Sequence, residues 1–144
     1  MRISKIRDVK TPERGTPKSA GLDFFIPNDF NNKVLWPGTN ITIASGIRAD
    51  IPDGKALIAF NKSGIASKYA VIIGASVCDE DYQGEIHINV INVGPHKLPL
   101  EAGMKLTQFL LLDVDYQGIE VVPDDELFTS ETIRGDGGFG STGK

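Results

Sequence analysis

The sequence predicts an all-β fold, a sandwich or barrel assembled from short strands. Three observations carry that reading. Short β-branched or alternating segments recur along the 144 residues, punctuated by Gly, Pro, Asn and Asp. Pro12, Pro17, Pro27, Pro37, Pro52, Pro95, Pro99 and Pro123 fall where connections between such segments are expected. No stretch carries the apolar period of a long amphipathic helix.

The elements follow in order. Asn40–Ile43 is a first strand, and Gly46–Ile51 a second, closed by the turn Pro52-Asp53-Gly54. Ala56–Phe60 is the third. Ser63–Lys68 reads as a short helical turn, with the Ser63 hydroxyl placed to cap it. Strand character resumes at Tyr69–Ile73. Glu85–Val93 alternates strictly, so Ile86, Ile88 and Val90 are expected to point inward. It is expected to form a hairpin with Val71–Cys78, with Asp79, Glu80 and Asp81 at the bend. Lys105–Leu112 and Ile119–Val122 complete the strands, and Trp36 is expected to cover the core. The length fits one domain over residues 1–128, followed by an arm over residues 129–144.

Composition excludes several classes. Hydrophobic residues make up 40% of the chain, enough for a core of its own. The net charge of −4 argues against a nucleic-acid surface but leaves room for a locally positive anion pocket. Cys78 is the single cysteine, so neither an internal disulfide nor a paired-cysteine metal site is available, and Cys78 reads as a small buried hydrophobe. No apolar run approaches the ~18 residues of a membrane span, and no signal peptide is visible behind Met1. A soluble, intracellular, cytoplasmic protein is expected, with no membrane or nucleic-acid partner.

Two places carry chemistry. Asp79, Glu80 and Asp81 stand in sequence, followed by Tyr82. Two readings fit: a solvated turn, or a site where one carboxylate takes a proton from water, another lies near a metal ion, and the flat ring of Tyr82 suits a sugar or base. Asp113–Gly118 repeats the Asp-x-Asp-Tyr-Gln-Gly pattern of Asp79–Gly84. The first copy follows the small residues Gly74-Ala75-Ser76, which allow a ligand close to the backbone. The second follows the bulky Phe109–Leu112 and reads as a surface turn. The other place is the end of the chain. Glycine fills half of the ten residues from Arg134 to Gly143, too many to build a core. It reads either as a frayed terminus or as a lid, with Arg134, Ser141 and Thr142 for a phosphate chain and Phe139 for stacking on a base. Lys62, Ser63 and Gly64 would offer an ammonium, a hydroxyl and open N–H groups to the same ligand. Gln108, among apolar neighbours, needs a hydrogen-bond partner. His87 and His96 read as ordinary strand and loop residues rather than a metal pair.

Five pieces, in order, resemble the motifs of the homotrimeric dUTP diphosphatases (dUTPases): Ala20–Asp23, Lys62–Lys68, Val77–Ile86, Gly103–Gln108 and Arg134–Gly143. The third and fifth are the specific ones. The resemblance implies a jelly-roll subunit, a homotrimer with sites shared between subunits, and Mg²⁺-dependent hydrolysis of dUTP to dUMP and pyrophosphate. That activity limits uracil in DNA and supplies dUMP for dTMP synthesis. By the same resemblance Asp79 is the general base. Tyr82 lies under the deoxyribose, and the backbone around Ser76, Val77, Cys78 and His87 reads the uracil edge. Lys62, Ser63, Gly64, Gln108 and Arg134 hold the triphosphate. Phe139 stacks on uracil, Gly140, Ser141 and Thr142 close over the phosphates, and Asp23 reaches Mg²⁺ through water. Four positions depart from the family pattern: Lys62 and Lys105 stand for arginines, Ser76 for a glycine and Cys78 for an isoleucine. A lysine makes no bidentate fork, and Ser76 puts a side chain where backbone approaches the base. A dCTP deaminase-like enzyme and a dUTP-binding regulatory protein on the same fold are the alternatives; the Asp79–Tyr82 bend and the complete arm favour the hydrolase.

Overall fold

The computed structural model describes residues 1–139. Eleven strands appear in it: β1 Arg2–Lys5, β2 Leu22–Phe25, β3 Lys33–Leu35, β4 Asn40–Ala44, β5 Ile47–Asp50, β6 Lys55–Asn61, β7 Val71–Ile73, β8 Val77–Cys78, β9 His87–Asn92, β10 Leu98–Leu100 and β11 Lys105–Asp113. One seven-residue helix, α1 Ser63–Tyr69, interrupts them. All pairings are antiparallel. The larger sheets run β2-β11-β6-β8 and β4-β9-β7, and the ribbons β1-β5 and β10-β3 flank them. No described helix is long and apolar enough to cross a membrane.

The core lies between the sheets. Strand alternation delivers Leu57 from β6, Ile88 and Val90 from β9, and Phe109 from β11, all nearly or fully buried. Phe24 meets Phe109 with ring centroids 4.3 Å apart and planes tilted by 43°. Asn92 is the polar exception: it is fully buried, and its amide donates to the carbonyls of Leu35 and His96 while its oxygen accepts from the Gly94 N–H. Each of those bonds satisfies a group that would otherwise cost about 1–3 kcal/mol to bury, and together they tie the end of β9 to the approach to β10.

Most expected strands form within a residue or two, and Ile86, Ile88 and Val90 do point inward. Five points differ. Residues 119–122 form no strand; Ile119 and Val121 stand 95% and 93% exposed, and no described strand pairs with them. The predicted hairpin is opened: β7 pairs with β9, but β8 leaves to pair with β6. Lys62, in extended conformation, is the N-cap of α1; Ser63 sits inside the first turn, where its carbonyl accepts from the Ser67 hydroxyl. Pro99 lies within β10, opposite Val34, on a two-stranded ribbon that tolerates its missing N–H. Trp36 is 58% exposed, with the Lys97 ammonium 5.8 Å from its ring. Strands β1, β2, β3 and β10 were not apparent from pattern. β1 is exposed at all four residues, and the others are three or four residues long.

Candidate active site

Two half-sites lie on the four-stranded sheet. The first gathers the Ala20–Asp23, Lys62–Lys68 and Gly103–Gln108 pieces. β2 and β11 pair with Asp23 opposite Gln108, and a bulge between Lys105 and Thr107 shifts the register at the start of β11. Asp23 is 6% exposed. Its carboxylate takes the Lys62 ammonium on one oxygen and the Lys105 ammonium at 3.1 Å on the other. Burial pushes this carboxyl up, but the hydrogen bonds and charges of Lys62 and Lys105 outweigh that and hold it below the usual aspartate range. Lys105 also lies 3.6 Å from Glu13, which pairs with Lys10. Both lysines that stand where the family pattern has arginines are therefore gathered on one acid.

Gln108 finds the partner it needs: its amide donates to the Asn61 carbonyl at 2.9 Å. Gly21 packs against it so closely that a Cβ there would lie 2.9 Å from Gln108 Cβ and 2.5 Å from its Oε1. The glycine of the first motif is thus a packing requirement of the fourth. Ser63 and Gly64 are exposed on the first turn of α1, and a Cβ at Gly64 would meet nothing. Their N–H groups lie in the part of a helix that has no intrahelical acceptor.

The second half-site is the segment from Ser76 to His87. β8 is the edge of its sheet: Val77 and Cys78 pair with Ile58 and Leu57 on one side only. The other backbone edge is open to a ligand. Val77 is 62% exposed. Ser76 is half-buried, and its carbonyl accepts from the Ala59 N–H at 2.8 Å. Cys78 is half-buried against the core rather than fully buried; desolvation first, then the neighbouring Asp79, pushes its thiol up. Asp79 follows, exposed at the end of the strand. The Tyr82 hydroxyl donates to the Glu85 carbonyl at 2.9 Å, and His87 Nδ1 lies 2.8 Å from that same oxygen. Gly84 makes room for the ring, since a Cβ there would stand 2.3 Å from the Tyr82 hydroxyl.

The three acids do not act as a cluster. Asp79 and Asp81 face solvent, while Glu80 turns back to accept from the Gly54 N–H. Among the described residues no group of three His, Cys, Asp or Glu side chains is gathered to hold a metal. With Asp23 occupied by two ammonium groups, the described residues do not fit a protein-built Mg²⁺ cage.

Residues that sequence reasoning missed hold this second half-site. Glu85 accepts from Arg7 Nε at 2.9 Å and from the Gly46 N–H at 2.7 Å. The Arg7 hydrogen bond is the main reason its carboxyl sits below the usual glutamate range. Arg48 donates to the Gln83 carbonyl at 2.7 Å. Asn89 accepts from the Ala75 N–H at 3.3 Å, and its amide donates to the Thr42 hydroxyl at 2.8 Å. A Cβ at Gly74 would lie 1.9 Å from the Asn89 oxygen, so that glycine serves Asn89. The only sequence signal for Asn89 is a polar residue on the outward phase of an alternating strand.

The half-sites are separate within one chain. β6 connects them, with Asn61 at the Gln108 end and Leu57 opposite Cys78. Four residues at ~3.3 Å rise put them about 13 Å apart along the strand. The described part of the arm, residues 129–139, closes neither: Arg134 donates to the Gly137 carbonyl of its own turn at 2.8 Å, and Phe139 is fully exposed with a left-handed φ of 48°. Gly140, Ser141 and Thr142 lie outside the described residues.

The family model described as dUTPase matches residues 7–143. A deoxyuridine 5'-triphosphate nucleotidohydrolase of Chlamydia pneumoniae is 38% identical over 134 residues, covering 92% of this chain and 90% of that protein. The dUTPase of Staphylococcus bacteriophage 80alpha, solved with dUpNHpp, superposes with a TM-score of 0.85 at 23% identity, covering 99% of this chain and 98% of that one. A mutant dUTPase of phage phi11 of S. aureus, described for its coordination of a structural Mg(II) ion, gives a TM-score of 0.74 at 20% identity over 84% of this chain and 95% of that one. The structural likeness bears out the jelly-roll reading of the subunit.

Proposed function

The chain belongs to the dUTPase family, and we propose that it hydrolyses dUTP to dUMP and pyrophosphate with Asp79 as the general base. The observation that carries this reading is an exposed carboxylate at the end of a one-sided edge strand, beside a tyrosine ring pinned by its hydroxyl. The backbone of Ser76, Val77, Cys78 and His87 would take the uracil edge. Tyr82 would lie under the deoxyribose. Asp79 takes a proton from a water as its oxygen bonds to the α-phosphorus. The bond from that phosphorus to the bridging oxygen breaks, and pyrophosphate leaves with the electron pair.

Lys62, Ser63, Gly64 and Gln108 of a neighbouring copy would bind the phosphates, the arrangement that the family resemblance implies for a homotrimer with shared sites. By the family resemblance, residues 129–144 would serve as the closing arm over a domain of residues 1–128, with Arg134 on the phosphates, Phe139 on the base, and Gly140, Ser141 and Thr142 over the triphosphate. Mg²⁺ is best supplied on the substrate, where it neutralises phosphate charge. Asp23, with one lysine on each oxygen, would meet the ion through a water on a remaining lone pair. A cytoplasmic location is part of the same reading.

The test is pyrophosphate release from dUTP, dTTP, dCTP and UTP with Mg²⁺. Selective release from dUTP is expected. Ammonia from dCTP, or nucleotide binding without turnover, would overturn the assignment.

A further inference from the structure

The bend that carries Asp79 is held by very little. On one side of it lies a cavity of about 420 Å³, bordered by Arg48, Asp50, Glu80, Tyr82, Gln83 and Arg2. The core therefore does not pack that side, and the Asp79 side chain makes no hydrogen bond of its own among the described residues. Its direction is inherited from the backbone of residues 79–84.

Two side-chain contacts fix that backbone to β5 and to the turn that follows it. Glu80, the residue after Asp79, accepts from the N–H of Gly54. Gly54 adopts a left-handed φ of 72° and turns its carbonyl to the Val114 N–H at 2.9 Å, so the group that Glu80 grips is itself anchored to the end of β11. On the far side of Tyr82, Arg48 in β5 donates to the Gln83 carbonyl at 2.7 Å. A single turn bond, Tyr82 N–H to the Asp79 carbonyl at 3.2 Å, spans the interval between these two posts.

We propose that Glu80 and Arg48 are positioning residues: acting as two posts on either side of Tyr82, they aim the Asp79 carboxylate. Glu80 does this as a hydrogen-bond acceptor, not as a charge. The inference rests on the dUTP-hydrolysis reading. It explains why a third acid can stand between Asp79 and Asp81 without joining them: its carboxylate is turned away from the other two and into the β5–β6 turn.

Displacing a reacting group by about 1 Å can cost ~10²-fold in rate. Glu80→Ala is therefore expected to lower kcat by about 10- to 100-fold with KM nearly unchanged, and to speed amide hydrogen exchange at residues 80–84. Glu80→Gln keeps an acceptor and is expected to behave as wild type in both measurements. Arg48→Ala is expected to reproduce the Glu80→Ala pattern from the other post. Unchanged exchange and kcat in Glu80→Ala overturns the proposal, and so does a Glu80→Gln protein as impaired as Glu80→Ala. Should Glu80→Ala not fold, Arg48→Ala decides alone: wild-type exchange and kcat there overturn the proposal. A wild-type protein that releases no pyrophosphate from dUTP sinks the activity reading, yet the exchange measurements still decide whether the two posts hold the bend.

Discussion

Asp79–Gly84 and Asp113–Gly118 share one pattern, Asp-x-Asp-Tyr-Gln-Gly, and have different fates. The first is gripped at both ends, by Glu80 on Gly54 and by Arg48 on Gln83, and its tyrosine is pinned to Glu85. The second begins where β11 ends. Its first acid pairs with Lys55, its second accepts from the Gln117 N–H at 3.1 Å, and Tyr116 is 63% exposed. The two copies are also neighbours. The Tyr116 phenol is pushed up, by desolvation first and then by the carboxylates of Glu80, Asp79 and Asp81. One hexapeptide pattern thus gives a positioned carboxylate and a loose turn a short distance away. The difference lies in what the rest of the chain does to each.

The largest effect that separates them is chemical. Asn in place of Asp79 keeps the shape and removes the base. General-base catalysis contributes about 10²- to 10⁴-fold, so Asp79→Asn is expected to lose kcat in that range while binding of a non-hydrolysable dUTP analogue persists. Steady-state kinetics beside calorimetric binding would check this. A wild-type kcat would mean that the gripped turn is not the working one.

The glycines make a second contrast. At Gly84 a Cβ would lie 2.3 Å from the Tyr82 hydroxyl and 2.5 Å from its Cζ, so the ring has to move. At Gly118 nothing lies within 4 Å. Gly84→Ala is expected to cost about 1–3 kcal/mol of stability, as overpacking does, and to reduce kcat/KM by about tenfold or more through the displaced ring. Gly118→Ala should leave both near wild type. Equal melting temperatures for the pair would show that the Tyr82 ring is not seated as described.

A third contrast lies one residue further on. After Gly84 comes Glu85, bound to Arg7 and to the Gly46 N–H; after Gly118 comes the exposed Ile119. The Glu85 carboxyl is depressed in the folded protein. Its contribution to stability is therefore complete above the ordinary glutamate value of about 4.3 and is lost as pH falls through the lower folded value. Glu85→Gln should melt below wild type at pH 7, and the gap should narrow in melts taken below about pH 4. A gap that widens on acidification would refute the sign.

Much of this was legible in the chain itself. Strict alternation over Glu85–Val93 announced its buried face, and the need of Gln108 for a partner announced a bond, later found at the Asn61 carbonyl. What stayed hidden depends on contacts between residues far apart in sequence. The open hairpin arises because β8 prefers β6 to β9, a choice made by sheet topology rather than by its two residues. The Asp23–Lys62–Lys105 grouping joins three motifs through the β2–β11 register and its bulge. Arg7, Arg48 and Asn89 belong to no motif and become visible only once their partners are in place. The exposed Ile119 and Val121 looked like a strand because their β-branched character is real; a strand also needs a partner, and no described strand pairs with this segment.

The smallest expected effect is the one that tests the choice between the two turns. Asp113 pairs with Lys55 at the end of the β6–β11 ladder, with side chains 88% and 35% exposed. An exposed ion pair is screened by solvent and holds two long side chains at an entropic cost, so its net worth is small. Asn at this position keeps an oxygen for Lys55 and leaves the Val114 N–H on the Gly54 carbonyl untouched. Asp113→Asn is therefore expected to change kcat by less than about twofold and Tm by less than about 2 °C. Gly54 is the route by which that expectation could fail. It accepts from Val114 on one side and donates to Glu80 on the other, so a disturbance at Asp113 has a two-bond path to the Asp79 bend. A large loss of kcat with Tm unchanged would place the second turn inside the catalytic machinery, acting through that glycine.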